Sequence, residues 1–363
     1  MAEMPKHPGE RVMSGWLRLL RKIEAVVVRW LVRLPEKALV FLAGRRPIRI
    51  GGRTLDTRVQ FILRLISREP AMESLPAPRA RQQYNRLCAV VGGKPRPMAR
   101  IDRLVIPGPA RPLSARLYVP EGVGPGAPLL VFFHGGGFVV GDLDDYEVPC
   151  RLLADEARCL VLSAEYRLAP EHVFPAQSED AEAVWRWVGE NAAVLGADPA
   201  RIAVGGDSAG GHIAAVISLL GERLGVPAPR HQLLIYPSVD MTRPWRSLET
   251  YGRGFLLTRP MIDHFMASVL PPGSDTSNPR ITPLGADSHA GLPGATLVLA
   301  GFDPLQDQGQ AYGEALAAAQ VPVNVLMYES LIHGFIAFPG TVPAADRAMR
   351  EMAASLRRGL AAA

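Results

Sequence analysis

From residue 100 to its C-terminus the chain alternates short apolar runs with amphipathic stretches, and this constrains its fold more than any other feature. The runs "PLLVFF", "RCLVLSAEY", "RIAVGG", "HQLLIYPS", "ATLVLAG" and "VNVLMYE" read as strands. The stretches "SEDAEAVWRWVGENAAVLG", "SAGGHIAAVISLLGERLG", "GQAYGEALAAAQ" and the C-terminal segment read as helices. Strands alternating with helices predict an α/β fold with a mostly parallel sheet and helices on both faces. The runs are continuously apolar, as strands covered on both faces must be. Ahead of them, "RIDRLVIPG" and "ARLYVP" predict two more strands, and "DTRVQFILRLIS" and "APRARQQYNRLCAVV" predict two helices. Residues 241–290 break the alternation with loop-rich sequence and one helix-like piece, "RPMIDHFMASVL", and read as an insertion outside the sheet. A chain of 363 residues is long for one simple core, so one large domain with an added subdomain is expected.

Charge is concentrated at one end. Residues 1–50 hold 11 Lys/Arg and 4 Asp/Glu, and the remainder holds 29 and 31, so the basic balance comes from the N-terminal arm. A nucleic-acid-binding body would carry its own basic surface, and none is expected here. The arm's "SGWLRLLRKIEAVVVRWLVRLPEK" reads as an amphipathic helix, with Ser14 as N-cap and Pro35 as stop. Trp16, Leu20, Ile23, Val27, Trp30, Leu31 and Leu34 fall on one face, and Arg18, Arg21, Lys22, Arg29 and Arg33 largely on the other. Charges interrupt it too often for a transmembrane span, and it lacks the apolar core and cleavage site of a signal peptide. Two readings stand: a helix packed on the protein's own body, or a basic interfacial helix on anionic lipid. The three cysteines, Cys88, Cys150 and Cys159, form no CxxC pair and no disulfide framework, which fits a reducing compartment.

The chemistry centres on Gly206-Asp207-Ser208-Ala209-Gly210, a Gly-x-Ser-x-Gly set between a strand and a helix. A serine on such a turn is lifted clear of the sheet, and large flanking side chains would clash. The helix that follows turns its N-terminal N–H groups toward the site, which favours a developing oxyanion. A serine nucleophile needs a base and a group that orients the base, in chain order acid then histidine. "LVLAGFDPLQDQG" puts Asp303 just past a strand, with Asp307 as a rival, and "VNVLMYESLIHGF" puts His333 past the next. Of eight histidines only His333 has the expected order. "VFFHGGGFVVGD" places Gly135, Gly136 and Gly137 after a strand, where bare backbone can approach a carbonyl oxygen, with the Ala209 N–H as a further donor. No phosphate loop and no HExxH metal motif occurs, so neither a cofactor nor a metal is expected.

With these residues in hand, the chain resembles the hormone-sensitive lipase family of α/β-hydrolases, the bacterial family IV esterases. The matching pieces are "HGGGFVVGDLD", "YRLAPEHVFPA", "GGDSAGGH", "DPLQDQG" and "IHGF", in that family's order. The resemblance implies Ser208, Asp303 and His333 as the triad, and Gly136 and Gly137 as oxyanion donors with Ala209. It implies that His134, Tyr166, Arg167 and Glu171 brace loops near the site. It also implies a helical cap. The expected division is an arm over 1–45, cap helices over 46–95, core over 96–240, a cap insertion over 241–279, and core again over 280–363. Two features depart from that family's pattern: the arm is longer, and "YESLIHGF" lacks the proline and glycine often found before this histidine.

The expected function is a cofactor-free serine carboxylesterase for short to medium acyl esters. A lipase for longer lipid esters at a membrane surface, and amide or lactone hydrolysis by the same triad, are the alternatives within enzymes. A binding protein on the same fold, as in the plant gibberellin receptors, would lack the catalytic histidine, and His333 is present. The expected partner is a small-molecule ester and no nucleic acid. Peripheral membrane contact through the arm and a homodimer are carried as further partners, and the expected location is cytoplasmic or at the inner membrane face.

Overall fold

The computed structural model describes residues 23–361. It opens with helix α1 (23–31), α2 (Glu36–Leu42), a two-stranded hairpin of β1 (Arg49–Ile50) and β2 (Arg53–Thr54), α3 (Thr57–Ile66) and α4 (Ala77–Val91). The predicted pair of helices corresponds to α3 and α4. Asp56 caps α3, its carboxylate accepting from the Arg58 and Val59 N–H groups at 2.8 and 3.3 Å. The arm helix differs from expectation. Its described part ends at 31, and Pro35 starts α2 rather than simply stopping α1. The part of that helix before residue 23 lies outside the described residues.

The body follows as β3 (Arg100–Ile106), β4 (Leu113–Val119), β5 (Ala127–Phe133), α5 (Glu147–Ala157), β6 (Leu160–Ala164), α6 (Ala176–Asn191), β7 (Ala197–Asp207), α7 (Ala209–Leu220) and β8 (His231–Ile235). After β8 come α8 (Arg246–Tyr251) and α9 (Arg259–Val269), then β9 (Gly294–Phe302), α10 (Gln306–Ala318), β10 (Val323–Ile332) and α11 (Pro343–Ala361). The helix α8 and the hairpin were not expected. Helix α8 is too short to display a periodicity, whereas the hairpin turns on Gly51-Gly52, both at positive φ, a local signal that reading by strand length passed over.

Eight strands form one sheet in the order β10-β9-β8-β7-β5-β6-β4-β3. The pairs from β10 to β6 are parallel, and β4 and β3 add antiparallel strands at one edge. The apolar strands serve two cores because successive side chains point to opposite faces. Leu129, Val131 and Phe133 of β5 join the cluster under α6, α7 and α10, while Leu130 and Phe132 join the one under α5 and α11. In α11 the buried residues Ala345, Ala348, Met349, Met352, Leu356 and Leu360 recur at helical spacing, which fixes its inner face. Parallel pairing sets the C-terminal ends of β5, β7, β9 and β10 along one rim of the sheet, where open α/β sheets place their sites.

Candidate active site

Strand β7 ends at Asp207 and helix α7 begins at Ala209, so Ser208 alone makes the junction. Its backbone sits at φ +54°, ψ −114°, a conformation that a non-glycine residue holds only when its surroundings enforce it. The enforcement comes from both sides. The Ser208 N–H donates to the Ile235 carbonyl at 2.9 Å, and the His212 N–H donates to the Ser208 carbonyl at 2.9 Å. The flanking glycines are required by contact. A Cβ at Gly206 would lie 2.4 Å from the Phe133 carbonyl oxygen, and one at Gly210 would lie 1.9 Å from that same atom.

Asp303 and His333 are the first residues past β9 and β10. Their side chains meet Ser208 in a chain. His333 Nδ1 is 2.8 Å from Asp303 Oδ2, and His333 Nε2 is 2.9 Å from Ser208 Oγ. Asp303 is fully buried, and its other oxygen accepts the Leu305 N–H at 2.7 Å. Asp307, the rival acid, faces elsewhere and accepts the Ser247 N–H at 2.8 Å. Tyr236 packs on the imidazole, with ring centroids 4.5 Å apart.

The glycine loop after β5 lies next to the elbow. The Gly135 N–H is already committed, donating to Asp207 Oδ1 at 2.7 Å and to Tyr146 Oη at 3.0 Å. The N–H groups of Gly136 and Gly137 donate to no acceptor among the described residues. Gly137 holds φ +59°, and a Cβ there would overlap the Phe265 ring at 2.0 Å. Ala209, as the first residue of α7, has an N–H without an intrahelical acceptor. Unsatisfied N–H groups from two elements therefore border the Ser208 hydroxyl.

The bracing residues form a connected frame. His134 stacks on Tyr166 at 4.4 Å, and the Tyr166 hydroxyl donates to the His134 carbonyl at 2.8 Å. Burial pushes His134 down to about 4, so it is neutral at pH 7. Arg167 pairs with the fully buried Asp180 at 2.8 Å. Glu171 holds Arg81 of α4 through two bonds of 2.8 and 2.6 Å, while Arg81 also donates to the Val139 and Ala169 carbonyls.

Sequence reasoning missed one part of the site, the surroundings of Asp207. Its Oδ2 accepts the Tyr146 hydroxyl at 3.1 Å, Tyr236 Oη lies 3.4 Å away, and Tyr84 of α4 meets Tyr146 hydroxyl to hydroxyl at 3.0 Å. Burial raises the Asp207 carboxyl to about 6, against the opposing effects of His333 and the Gly135 N–H. The signal was the aspartate inside the elbow motif. Its tyrosine partners come from three distant segments and carry no local pattern.

Ser208, His333 and the glycine loop open into an apolar cavity of about 110 Å³. Its walls come from α4 (Tyr84, Leu87), from the segment between β8 and β9 (Leu257, Met261, Phe265), and from the loop after β5. The arrangement presents a hydroxyl that can pass its proton to an imidazole, an acid holding that imidazole, and N–H groups for an oxyanion, beside an apolar chamber.

A family model described as alpha/beta hydrolase fold matches residues 130–337. The chain is 41% identical to a carboxylic ester hydrolase, LipN, of Mycobacterium tuberculosis over 330 residues, 87% of this chain and 87% of the relative. It is 44% identical to the esterase LipI of the same organism over 265 residues, 72% of this chain and 82% of that protein. Among solved structures it is similar to an ester-hydrolase from the metagenome of Lake Arreo, complexed with a bipyridine phosphonate derivative. That match has a TM-score of 0.81 and 35% identity, and covers 84% of this chain and 98% of the other.

Proposed function

The chain belongs to the α/β hydrolase fold family, and from that premise we infer that it is a serine carboxylesterase acting on short to medium acyl esters. The observation that carries the reading is His333, hydrogen-bonded to Ser208 on one side and to Asp303 on the other. Ser208 Oγ attacks the ester carbonyl carbon as its proton passes to His333 Nε2. Asp303 holds the Nδ1–H tautomer and stabilises the imidazolium. The carbonyl oxygen gains the negative charge and takes hydrogen bonds from the N–H groups of Gly136, Gly137 and Ala209. The C–O bond to the alcohol then breaks, the alkoxide leaves with the proton from His333, and an acyl-enzyme remains. Water attacks that ester with His333 as base, which releases the acid and restores Ser208.

The cap in this reading consists of residues 46–95 and 241–279, set on a core of 96–240 and 280–363, with 1–45 as a separate arm. The apolar walls supplied by α4 and by Leu257–Phe265 support it, because they close the chamber over Ser208. Such walls favour an uncharged acyl chain. A lipid-surface version is favoured by one observation, an apolar stripe on α1 that faces solvent. Among the described residues no helix is long and apolar enough to cross a membrane. The proposed location is cytoplasmic, with contact at the inner membrane face; the three buried free cysteines fit a reducing compartment. A homodimer remains part of the proposal.

Ser208→Ala tests the mechanism. It should cost at least about a thousandfold in the rate of p-nitrophenyl ester hydrolysis. A fluorophosphonate probe should label Ser208 in the wild type and nothing in the variant. Near wild-type hydrolysis by the variant would overturn the assignment. A panel of p-nitrophenyl esters from acetate to palmitate should peak at the short to medium chains.

A further inference from the structure

The apolar face that periodicity marks on the arm helix is divided between the body and solvent. Ala25 and Val28 of α1 and Val32 just past it are buried, and Leu31 and Leu34 pack partly against the core, whereas Ile23, Val26, Val27 and Trp30 are 51%, 61%, 48% and 64% exposed. The end of α2 adds Phe41 and Leu42 at 62% and 46%. Six of the eleven exposed large apolar side chains among the described residues thus fall within residues 23–42. Such crowding marks an interaction surface, where scattered single residues would not.

The charges on the same segment are mostly basic. Residues 23–50 carry six basic side chains, Arg29, Arg33, Lys37, Arg45, Arg46 and Arg49, and no salt bridge among the described residues engages them. Against these six stand two acids. Glu24 pairs with Arg86 of α4 at 2.9 Å, and Glu36 accepts the Thr57 hydroxyl at 3.1 Å. Arg45 lies over the Phe41 ring, 5.3 Å from its centroid.

We propose that the solvent-facing surface of α1 and α2 docks on an anionic phospholipid bilayer. The reading of the chain as an esterase underlies what this docking serves, although the docking itself is independent of it. The apolar side chains enter the interface, and the basic ones meet the headgroups. Charge decides against the competing occupants. A second copy would bring the same basic face. Residues 1–22 carry five Lys/Arg against two Asp/Glu, so they too share its sign. Only an anionic surface complements both the charge and the apolarity. The Glu24–Arg86 pair fastens α1 to α4, whose Tyr84 and Leu87 line the chamber over Ser208. Docking therefore holds the chamber, through α4, near a surface where amphiphilic esters concentrate.

The test compares the full chain with a Trp30→Glu, Phe41→Glu variant. Both positions are exposed, so the fold and hydrolysis of p-nitrophenyl acetate in solution should be unchanged. Wild type should co-sediment with vesicles of phosphatidylglycerol and phosphatidylcholine at 1:1. Its binding should be at least about tenfold weaker on pure phosphatidylcholine, and weaker again as salt is raised. The variant should lose anionic-vesicle binding by at least about tenfold. Wild type that stays in the supernatant, or a variant that binds as well as wild type, overturns the proposal. A concentration-dependent dimer that the variant abolishes, without vesicle binding, would assign the face to a second copy instead. Vesicle binding with no hydrolysis of any ester would sink the esterase reading and leave the docking surface standing.

Discussion

At the scale of single residues, the site depends on where side chains are missing as much as on where they are present. Gly206 and Gly210 lie against the end of β5, so the elbow and the glycine loop are packed backbone to backbone. Gly210→Ala therefore cannot be absorbed by moving a flexible side chain. The displaced group is the Phe133 carbonyl, two residues before Gly135. We expect a loss of about 1–3 kcal/mol in stability, read by urea denaturation, and a larger proportional loss in kcat/KM than in folding. A variant with wild-type activity would mean that the loop and the elbow tolerate separation. The two candidate acids divide on the same geometric ground. Asp303 and Asp307 are separated by a single helical turn, yet one meets His333 and the other meets Ser247.

At the scale of elements, the segments outside the sheet carry the features that tune the site. Helix α9 lays Phe265 against Gly137 and helps wall the chamber. Phe265→Ala should lengthen the accepted acyl chain, raising the ratio of octanoate to butyrate kcat/KM by about tenfold, which corresponds to about 1.4 kcal/mol. Loss of a buried ring should also cost about 3–5 kcal/mol of stability. An unchanged ratio in a folded variant would place the acyl chain elsewhere in the chamber. Helix α1 shows how far periodicity can be read. The run Ala25-Val26-Val27-Val28 is apolar on several sides, so the sequence does not say which side turns inward. Arg86 on α4 and the buried neighbours of Val28 and Val32 settle the question by holding Glu24 toward the body.

At the scale of the whole molecule, Asp207 joins parts that are far apart in sequence. Its carboxylate collects the Gly135 N–H and the hydroxyls of Tyr146 and Tyr236, and Tyr84 extends the network to α4. Its burial has a consequence for stability against pH. The carboxyl titrates near 3.8 when free and is raised to about 6 in the fold. Between those values the folded chain holds a proton that the unfolded chain has released. This group therefore favours folding below about pH 4, and the advantage fades as pH rises through 6, by of order 3 kcal/mol. Asp207→Asn removes that titration. The stability of wild type relative to the variant should fall between pH 4 and pH 7, as read by urea midpoints across that range. Parallel profiles would show that Asp207 ionises normally.

The sequence by itself determined the alternation of strands and helices, the two-faced burial of the central strands, and the order of serine, acid and histidine at strand ends. These are local facts, because period, apolarity and turn glycines are properties of neighbouring residues. The tyrosines around Asp207 and the outward face of α1 were decided only by tertiary structure. Each depends on what a distant segment brings to the same place, and no spacing along the chain encodes that. Ser208 illustrates the division. Its glycines announce a tight turn, while its partners are 95 and 125 residues further along, and only the parallel sheet sets them beside it.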